Sequence, residues 1–304
     1  MRRVVILACI WGWSFVFIKV AVEGMTPFTV AAARMALGCS ALLVIGRRTG
    51  VRLPADRTFW RNVAVAGLTG CAIPFTLLAW GEERITSALT SVAQGTTSMF
   101  TALFAAILLH ERLRPIQVLG LIGGLLGVGV AAGLGAGDLT GASVAGVLAA
   151  VAAGASYGLT FAHNQRHLMN VPPIAAATGQ LLMGTVMLAP FAIVSSVVSG
   201  ISLTPSRTAS ILMLGIVGTG VAYWLNFGAI ARVGATAASL VTYLVPPVAV
   251  VVGWAVLGEA IQPRLILGLA IIIASVAAVR AGGPTRARGA ARARDAGEVR
   301  YTSR

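Results

Sequence analysis

Apolar runs long enough to cross a membrane follow one another along almost the whole chain, and they constrain its fold more than any other feature. A helix needs about 20 mostly apolar residues to cross the hydrocarbon layer of a bilayer. Because lipid cannot satisfy the hydrogen bonds of open strand edges, such spans are predicted to be helices. Ten spans are expected, at roughly 4–22, 28–46, 62–80, 86–109, 115–133, 143–163, 173–197, 208–228, 235–257 and 263–281. The expected fold class is an all-α integral membrane protein with ten transmembrane helices.

The composition excludes a large water-soluble domain. Hydrophobic residues make up 57% of the 304 residues and charged residues only 11%, whereas soluble proteins average about 25% charged residues. Cys9, Cys39 and Cys71 lie within apolar runs without CxxC spacing, so they are interpreted as packing residues. Lys19 is the only lysine, so the chain has no phosphate-binding GxxxxGKS/T loop. We expect no cofactor, no metal and no enzymatic activity.

Arginine placement predicts the orientation of the chain. Arg2 and Arg3 precede the first apolar run as in a signal peptide, but Trp11, Trp13 and Lys19 within that run favour a retained helix. If the N-terminus is inside, three arginines fall in outer loops, whereas the cytoplasmic segments hold Arg2, Arg3, Arg47, Arg48, Arg52, Arg57, Arg61, Arg112, Arg114, Arg166 and Arg232. This bias predicts a multi-pass cell-membrane protein with both termini in the cytoplasm. The Arg-rich tail, 282–304, is predicted to be disordered and to meet anionic lipid rather than nucleic acid.

The second half of the chain repeats the first. A shift of 148 positions aligns Arg84 with Arg232, Ser91 with Ser239, Glu111 with Glu259, and Pro115 with Pro263. A shorter shift aligns Gly12, Ser14 and Phe15 with Gly154, Ser156 and Tyr157. Two five-helix repeats are predicted, at 1–137 and 138–281. Because five is odd, the second repeat enters the membrane from the opposite side, with Glu111 inside and Glu259 outside. Inverted repeats of this kind are typical of secondary transporters.

Several motifs of the two repeats resemble those of a known family. Trp11-Gly12-Trp13-Ser14-Phe15 with Lys19, Pro27 and Arg34 resembles the opening of an EamA-type repeat of the drug/metabolite transporter superfamily, and so do the closing blocks Leu109-His110-Glu111-Arg112-Leu113 and Leu257-Gly258-Glu259. The resemblance covers about residues 5–280. It implies a ten-helix inner-membrane carrier, often an exporter of amino acids or other small metabolites. The proline that the family carries before each closing glutamate is present as Pro246-Pro247, but Ser98-Met99 replace it in the first repeat.

Polar and aromatic side chains within the spans predict a substrate cavity, because polar groups at membrane depth face protein or water. The fourth span carries a polar stripe with 4-3-4-3 spacing, which is one face of a helix. Hydroxyls that allow close helix packing, and aromatics that anchor at the membrane interface, are the alternatives. The predicted substrate-binding residues are Trp13, Ser14, Trp80, Ser91, Gln94, Ser98, Tyr157, Tyr223, Asn226, Thr242 and Tyr243.

Few charges lie within the spans. Lys19, Arg34 and Glu82 are predicted to form an outer vestibule that attracts anions, and ion pairing or snorkelling is the alternative. No acidic residue lies deep in a predicted helix, so His163 is the candidate for proton coupling. Pro246 and Pro247 have no N–H, so the carbonyls of Thr242 and Tyr243 are free to accept a substrate amine or water.

The function that these features favour is secondary transport. A carrier is expected to move a small organic metabolite, such as an amino acid or drug-like solute, through a central cavity by alternating access, and export is the expected direction. A membrane-embedded enzyme and a non-transporting membrane scaffold are the alternatives. GxxxG ridges in the fifth span are predicted to pack helices within a monomer, or else to join a homodimer, and appear at Gly120, Gly123, Gly124, Gly127, Gly129 and Gly133.

Overall fold

The structure, a computed structural model, describes residues 2–110, 112–134, 140–226 and 241–281. These ranges form ten successive helices and contain no strand. The helices are α1 (Arg2–Val22), α2 (Pro27–Arg48), α3 (Arg57–Glu82), α4 (Ser87–Leu108), α5 (Pro115–Ala132), α6 (Gly141–His167), α7 (Pro173–Ser199), α8 (Pro205–Asn226), α9 (Val241–Leu257) and α10 (Pro263–Ala281). Within the described part of the chain, nine helices are long and apolar enough to cross a membrane, and α9 is a shorter apolar helix. The all-α prediction is confirmed. Glu111, residues 235–240 of the ninth predicted span and the predicted tail 282–304 lie outside the described residues.

Helix boundaries follow from capping residues. The helices α2, α5, α7, α8 and α10 begin at prolines, which have no N–H to leave unpaired and a φ angle already suited to a helix. The helix α3 begins five residues before its predicted start. Asp56 caps it, because its side chain accepts a hydrogen bond from the N–H of Phe59 at 2.9 Å. Apolar residues alone did not indicate this first polar turn.

Two helices contain wider π-helical segments at equivalent positions. They are Leu68–Ala72 in α3 and Met213–Val221 in α8, and the shift of 148 positions carries the first segment into the second. In α3 the segment lies just before Pro74, which has no N–H to donate to the helix. Such segments are frequent at functional sites. They contain Gly70 and Thr219, both of which are important below.

The packing of the helices has an internal twofold symmetry. The pair α1 and α9 corresponds to the pair α6 and α4, and the pair α2 and α8 corresponds to α7 and α3. In the first pair, a Cβ on Gly12 would lie 3.2 Å from the backbone nitrogen of Ala249. In the corresponding pair, a Cβ on Gly158 would lie 2.7 Å from the backbone nitrogen of Thr101. Thr101 precedes Ala249 by 148 positions. The counterpart of Gly12 is therefore Gly158, one helical turn beyond the predicted Gly154.

The two repeats are inverted relative to each other. Glu259 lies in the segment that closes the second repeat, and its Oε1 atom accepts the N–H of Ser87, at the start of α4, at 2.7 Å. Leu108, at the other end of α4, lies beside the segment that closes the first repeat, and its carbonyl accepts a hydrogen bond from Arg166 at 2.9 Å. The two closing segments are therefore separated by the 22 residues of α4, about 33 Å. We call these two ends of the bundle the Glu259 face and the Arg166 face.

The helices α5 and α10 pack closely against each other at one side of the bundle. A Cβ on Gly120 would lie 2.8 Å from the carbonyl oxygen of Ser275, and one on Gly268 would lie 2.7 Å from the backbone nitrogen of Ala131. Small residues allow two backbones to approach this closely. The glycine ridge of the fifth span therefore packs helices within one chain, as the sequence predicted.

Candidate transport cavity

A cavity of about 290 Å³ lies between eight of the ten described helices. Residues of α1 to α4 form one part of its wall, and residues of α6 to α9 form the other, whereas α5 and α10 contribute none. The wall residues nearest the Glu259 face are Ile18, Leu78 and Ser91. Those nearest the Arg166 face are Asn164 and Asn226. The cavity thus occupies the interior of the bundle, where an inverted-repeat carrier holds its solute.

The cavity wall is built twice. Eight residues of the first repeat have a counterpart in the second that also lines the cavity, 146 positions later in α1 and α2 and 148 positions later in α3 and α4. The pairs are Trp11 and Tyr157, Ser14 and Thr160, Phe15 and Phe161, Ile18 and Asn164, Arg34 and Gln180, Phe75 and Tyr223, Leu78 and Asn226, and Thr97 and Val245. Five of the pairs conserve size or polarity. The other three pairs make the cavity asymmetric. The first repeat contributes the cation Arg34 and the apolar residues Ile18 and Leu78, whereas the second contributes an amide side chain at each of these positions.

Arg34 is the one charged side chain among the described residues that line the cavity. It is 7% exposed, and its Nε atom donates to the hydroxyl of Thr219 at 2.9 Å. Its guanidinium carbon lies 3.9 Å from the centre of the Phe75 ring, a cation–π contact. No carboxylate of the described residues lies within ion-pair distance of Arg34. The position predicted for Arg34, in an outer vestibule beside acidic partners, is wrong, because its helix turns it into the cavity.

Aromatic rings surround this guanidinium group. The rings of Phe75 and Tyr157 are 6.4 Å apart, and Tyr223 lines the cavity in the position equivalent to Phe75. The amide side chains of Gln94 and Gln180 also line the cavity. The cavity therefore offers one fixed positive charge, apolar ring faces and several groups that both donate and accept hydrogen bonds.

Six of the predicted substrate-binding residues lie on the cavity wall: Ser14, Ser91, Gln94, Tyr157, Tyr223 and Asn226. Their role in binding a solute stays a prediction. The side chain of Thr242 lies outside what the structure describes, although its neighbours Val245 and Pro246 line the cavity.

Four predicted residues lie away from the cavity, so their placement is corrected. Trp13 is 38% exposed and its ring lies 5.7 Å from that of Phe17. The ring of Trp80 packs instead against Arg84, whose guanidinium carbon lies 3.5 Å from the ring centre. The ring of Tyr243 packs against Arg280 in the same way, at 4.5 Å. The fourth, Ser98, follows a break in α4 at Gly95-Thr96, so Thr97 lines the cavity in its place.

Several wall residues were not predicted from the sequence. Trp11, Ser14, Phe15 and Ile18 are spaced as i, i+3, i+4 and i+7, the pattern of a single helix face. Adjacent residues such as Trp13 and Ser14 point about 100° apart on a helix. This periodicity, applied to aromatic as well as polar residues, would have selected Trp11 and Phe15 instead of Trp13.

His163 packs between helices rather than on the cavity wall. Its Nε2 atom lies 3.1 Å from the backbone oxygen of Asn62 in α3, and its ring lies 4.8 Å from that of His167. Ser156, on the same side of α6, donates to the carbonyl of Thr69 at 2.5 Å. The proposed role of His163 in proton coupling stays a prediction without a contact to the cavity.

Polar groups from three parts of the chain meet between the cavity and the Glu259 face. Lys19 donates to the backbone carbonyls of Glu82 and Ile85, and the side chain of Glu82 is 0% exposed. Ser87 donates its backbone N–H to Glu259 at 2.7 Å. Lys19 and Glu82 thus lie together, and their role in an outer vestibule stays a prediction. Glu82 is the last residue of α3 and does not lie deep within the helix, but it is buried because α1 and α4 cover it; the sequence did not predict this burial.

Comparison with known proteins agrees with this architecture. The model of the EamA-like transporter family matches residues 4–132 and again residues 144–281. The chain belongs to the EamA-like transporter family. Its two matched regions each contain five of the helices described above, so the repeat found in the sequence is the repeat of the family.

Individual relatives of this family member are also transporters by name. The "uncharacterized transporter YoaV" of Bacillus subtilis is 24% identical over 91% of this chain and 94% of its own length. A protein of Streptantibioticus cattleyicolor named "probable terminal-alkyne amino-acid exporter" is 29% identical over 88% of both chains. The "uncharacterized inner membrane transporter YedA" of Escherichia coli K12 is 25% identical over 91% of this chain and 89% of its own length. A solved crystal structure with 22% identity has the same fold, with a TM-score of 0.63 over 90% of this chain and 94% of that chain.

Proposed function

We propose that this EamA-like transporter exports a small apolar amino acid, or a solute with the same carboxylate and apolar groups, by alternating access. The observation that carries the proposal is the position of Arg34, a buried cation on the cavity wall that has no carboxylate partner among the described residues. A buried charge without a partner is costly. An anionic group of the solute would supply the missing partner.

The chemistry of Arg34 favours a carboxylate. A guanidinium group presents its donors in a planar fork that matches the two oxygens of a carboxylate. Its Nε atom is engaged by Thr219, and Phe75 supports one face of its plane. These contacts fix the orientation of the group before a solute arrives, which reduces the entropy lost on binding.

The rest of the wall favours an amphipathic solute of small size. A cavity of about 290 Å³ is at the small end of the range for ligand pockets. Aromatic faces attract both apolar side chains and ammonium groups. The amide oxygens of Gln94, Gln180 and Asn226 are further acceptors for an ammonium group. The name of the Streptantibioticus cattleyicolor relative, an amino-acid exporter, agrees with this solute class and supports export as the direction.

The inverted repeats support alternating access. Two similar bundles with opposite orientation can exchange conformations and so open one site to each side in turn. We further propose the boundaries 1–137 and 138–281 for these bundles, a cytoplasmic tail at 282–304, and both termini in the cytoplasm of the cell membrane, which the arginine bias supports.

Exchange in lipid vesicles tests the solute and its recognition together. Vesicles that contain the purified chain and unlabelled leucine or phenylalanine are placed in labelled leucine or phenylalanine, and exchange is followed with time. Wild-type protein is expected to exchange the amino acids but to reject their methyl esters, which lack the carboxylate. Arg34→Gln should lower the exchange of the acid by about tenfold or more, since a hydrogen bond to a charged group contributes roughly 1.5–3 kcal/mol.

The ester provides the internal control. The ratio of acid exchange to ester exchange should be lower in Arg34→Gln than in the wild type, because this variant lacks the guanidinium group that binds the carboxylate. A variant that still prefers the acid by the wild-type ratio would overturn the assignment of Arg34. Absence of any exchange by the wild-type protein would contradict the proposed amino-acid substrate.

A further inference from the structure

Glu82, the last residue of α3, is buried and only half satisfied by hydrogen bonds. Its side chain is 0% exposed. Its Oε2 atom lies 2.8 Å from the hydroxyl of Ser87, whereas its Oε1 atom has no hydrogen-bond partner among the described residues. An ionised carboxylate has about four acceptor sites and is strongly destabilised when it is buried without partners. A neutral carboxylic acid tolerates this environment much better.

The charged groups around Glu82 do not neutralise its carboxylate. Lys19, from α1, directs its ammonium group to the backbone carbonyls of Glu82 and Ile85, and no ion pair joins its side chain to that of Glu82 within the described chain. The carboxylate of Glu259 approaches from the end of α9 and accepts the N–H groups of Ser87 at 2.7 Å and Ala88 at 3.0 Å. Glu259 therefore adds a second negative charge beside Glu82.

Two further pairs of charges lie at this end of the bundle. Glu83 lies 2.8 Å from Arg84, and Glu23 lies 3.5 Å from Arg207. The side chains of these pairs are partly exposed. They are thus available to water, in contrast to Glu82.

The hydroxyl of Ser87 distinguishes the two protonation states of Glu82. This hydroxyl has one hydrogen and two acceptors nearby, Oε2 of Glu82 at 2.8 Å and the carbonyl oxygen of Phe15 at 3.4 Å. If Glu82 is ionised, Ser87 donates to it and the Phe15 carbonyl receives nothing from Ser87. If Glu82 is protonated, it donates to Ser87, and Ser87 donates to Phe15. The protonated form therefore completes a chain of hydrogen bonds that links α3, α4 and α1.

The position of Glu82 gives it two routes to water. Leu78, one helical turn before it, and Phe15, at the end of the hydrogen-bond chain, both line the cavity. On the other side lies the Glu259 face, where Lys19, Ser87 and Glu259 cover it. In the alternating-access cycle proposed above, opening of the Glu259 face removes these groups from Glu82 and exposes its carboxyl group to water on that side. When the face is closed, the cavity is the nearest space that can hold water.

We propose that Glu82 is the proton-binding site of this transporter, protonated when the Glu259 face is closed, and that proton flow through it drives the solute. The proposal rests on the transport function above. The proton binds to Oε2 of Glu82 and leaves to water on whichever side the site faces. Because the electrochemical gradient of protons across bacterial cell membranes is directed inward and the proposed solute flow is outward, the expected coupling is exchange of protons for solute.

Infrared spectroscopy of the purified full chain in lipid nanodiscs tests protonation without any transport. The wild type at neutral pH should show the C=O stretch of a protonated carboxylic acid, which Glu82→Gln removes. Glu83→Gln is the matched control, because Glu83 is the exposed neighbour of Glu82 and is paired with Arg84. This variant should keep the band. Ser87→Ala should shift the band, since the acid loses its acceptor. The proposal would be overturned if the wild type lacked this band or if the band persisted in Glu82→Gln. If Glu82→Gln does not fold, Ser87→Ala decides, and an unshifted band in that variant would overturn the proposal.

A pH gradient tests the coupling. Vesicles hold labelled leucine or phenylalanine at equal concentrations inside and outside, and only the pH differs. Wild type and Glu83→Gln should accumulate the amino acid on the acidic side, whereas Glu82→Gln should show no net movement. Wild-type protein that exchanges the amino acid but does not respond to the gradient would refute proton coupling and leave the transport proposal intact. Wild-type protein that exchanges neither amino acid would refute the transport proposal, and the infrared band would still decide whether Glu82 holds a proton.

Discussion

The carboxylate of Glu259 caps the first turn of α4 by accepting the backbone N–H of Ser87 at 2.7 Å. The two residues belong to different repeats, so this bond joins the end of the second repeat to a helix of the first. The N–H of Ala88 donates to the same carboxylate at 3.0 Å. An anion at a helix N-terminus satisfies orphan N–H groups and interacts favourably with the helix dipole. This cap joins the two repeats at the Glu259 face, and we expect it to help keep that face closed in the proposed transport cycle.

Removal of the cap should therefore open this face. Glu259→Ala is expected to increase the labelling rate of a cysteine placed at Ala21, a residue that is 0% exposed in α1, in a background from which Cys9, Cys39 and Cys71 are removed. Loss of a cap costs about 1 kcal/mol, which corresponds to roughly fivefold faster labelling. Glu23→Gln removes only an exposed ion pair at the same face and should leave the rate unchanged. Equal rates in all three proteins would show that the cap does not control this face.

The neighbouring tryptophans of α1 should differ in their effect on transport. Trp11→Leu is expected to slow the exchange of labelled leucine by roughly tenfold, because it removes an aromatic face from the cavity wall. Trp13→Leu, two positions away and outside the cavity, should have no such effect. The comparison requires equal amounts of folded protein, measured by gel filtration. If Trp13→Leu has the larger effect, the orientation of α1 described here is incorrect.

Close packing of α5 and α10 makes the stability of the protein sensitive to one methyl group. Gly268→Ala should lower the midpoint of thermal unfolding, since its Cβ would lie 2.7 Å from the backbone nitrogen of Ala131 and overpacking costs about 1–3 kcal/mol. Gly141→Ala, where a Cβ would meet nothing within 4 Å, is the matched control. It should leave the midpoint unchanged or raise it slightly. An unchanged midpoint in Gly268→Ala would mean that the two helices are less tightly joined.

Cysteine labelling in intact cells checks the orientation in the membrane. Arg112→Cys and Gln262→Cys place single thiols in the exposed segments that close the first and second repeats, in the cysteine-free background. A reagent that does not cross membranes should label the thiol at 262 in intact cells. It should label the thiol at 112 only after the membrane is permeabilised. Labelling of both thiols from the same side would contradict the inverted arrangement.

Much of the fold was predictable because its determinants are local. Apolar length indicated the helices, and prolines such as Pro27 and Pro263 marked where they begin. Boundaries were less predictable where a polar residue extends a helix, as Asp56 does for α3. The alignment of α1 with α6 was wrong by one turn, because two Gly-x-Ser motifs match there. A shift of one turn preserves the helix face, so the sequence alone could not reveal it.

The site was harder to predict because it depends on packing between distant segments. The break at Gly95-Thr96 changes which hydroxyl of α4 faces the cavity, and a regular helical spacing does not anticipate it. Glu82 stands in a run of charged residues that is typical of a loop. Its burial arises largely from α1, whose Lys19 is 63 positions away in the sequence, and a local pattern of hydropathy cannot reveal such a contact.

The separation of α5 and α10 from the cavity has a consequence for how this kind of carrier diversifies. Stability at that pair depends on backbones in close contact, whereas selectivity depends on side chains of the other eight described helices. Substitutions that retune the accepted solute need not touch the pair that keeps the bundle assembled. New specificities are therefore accessible to this architecture without loss of its structural frame.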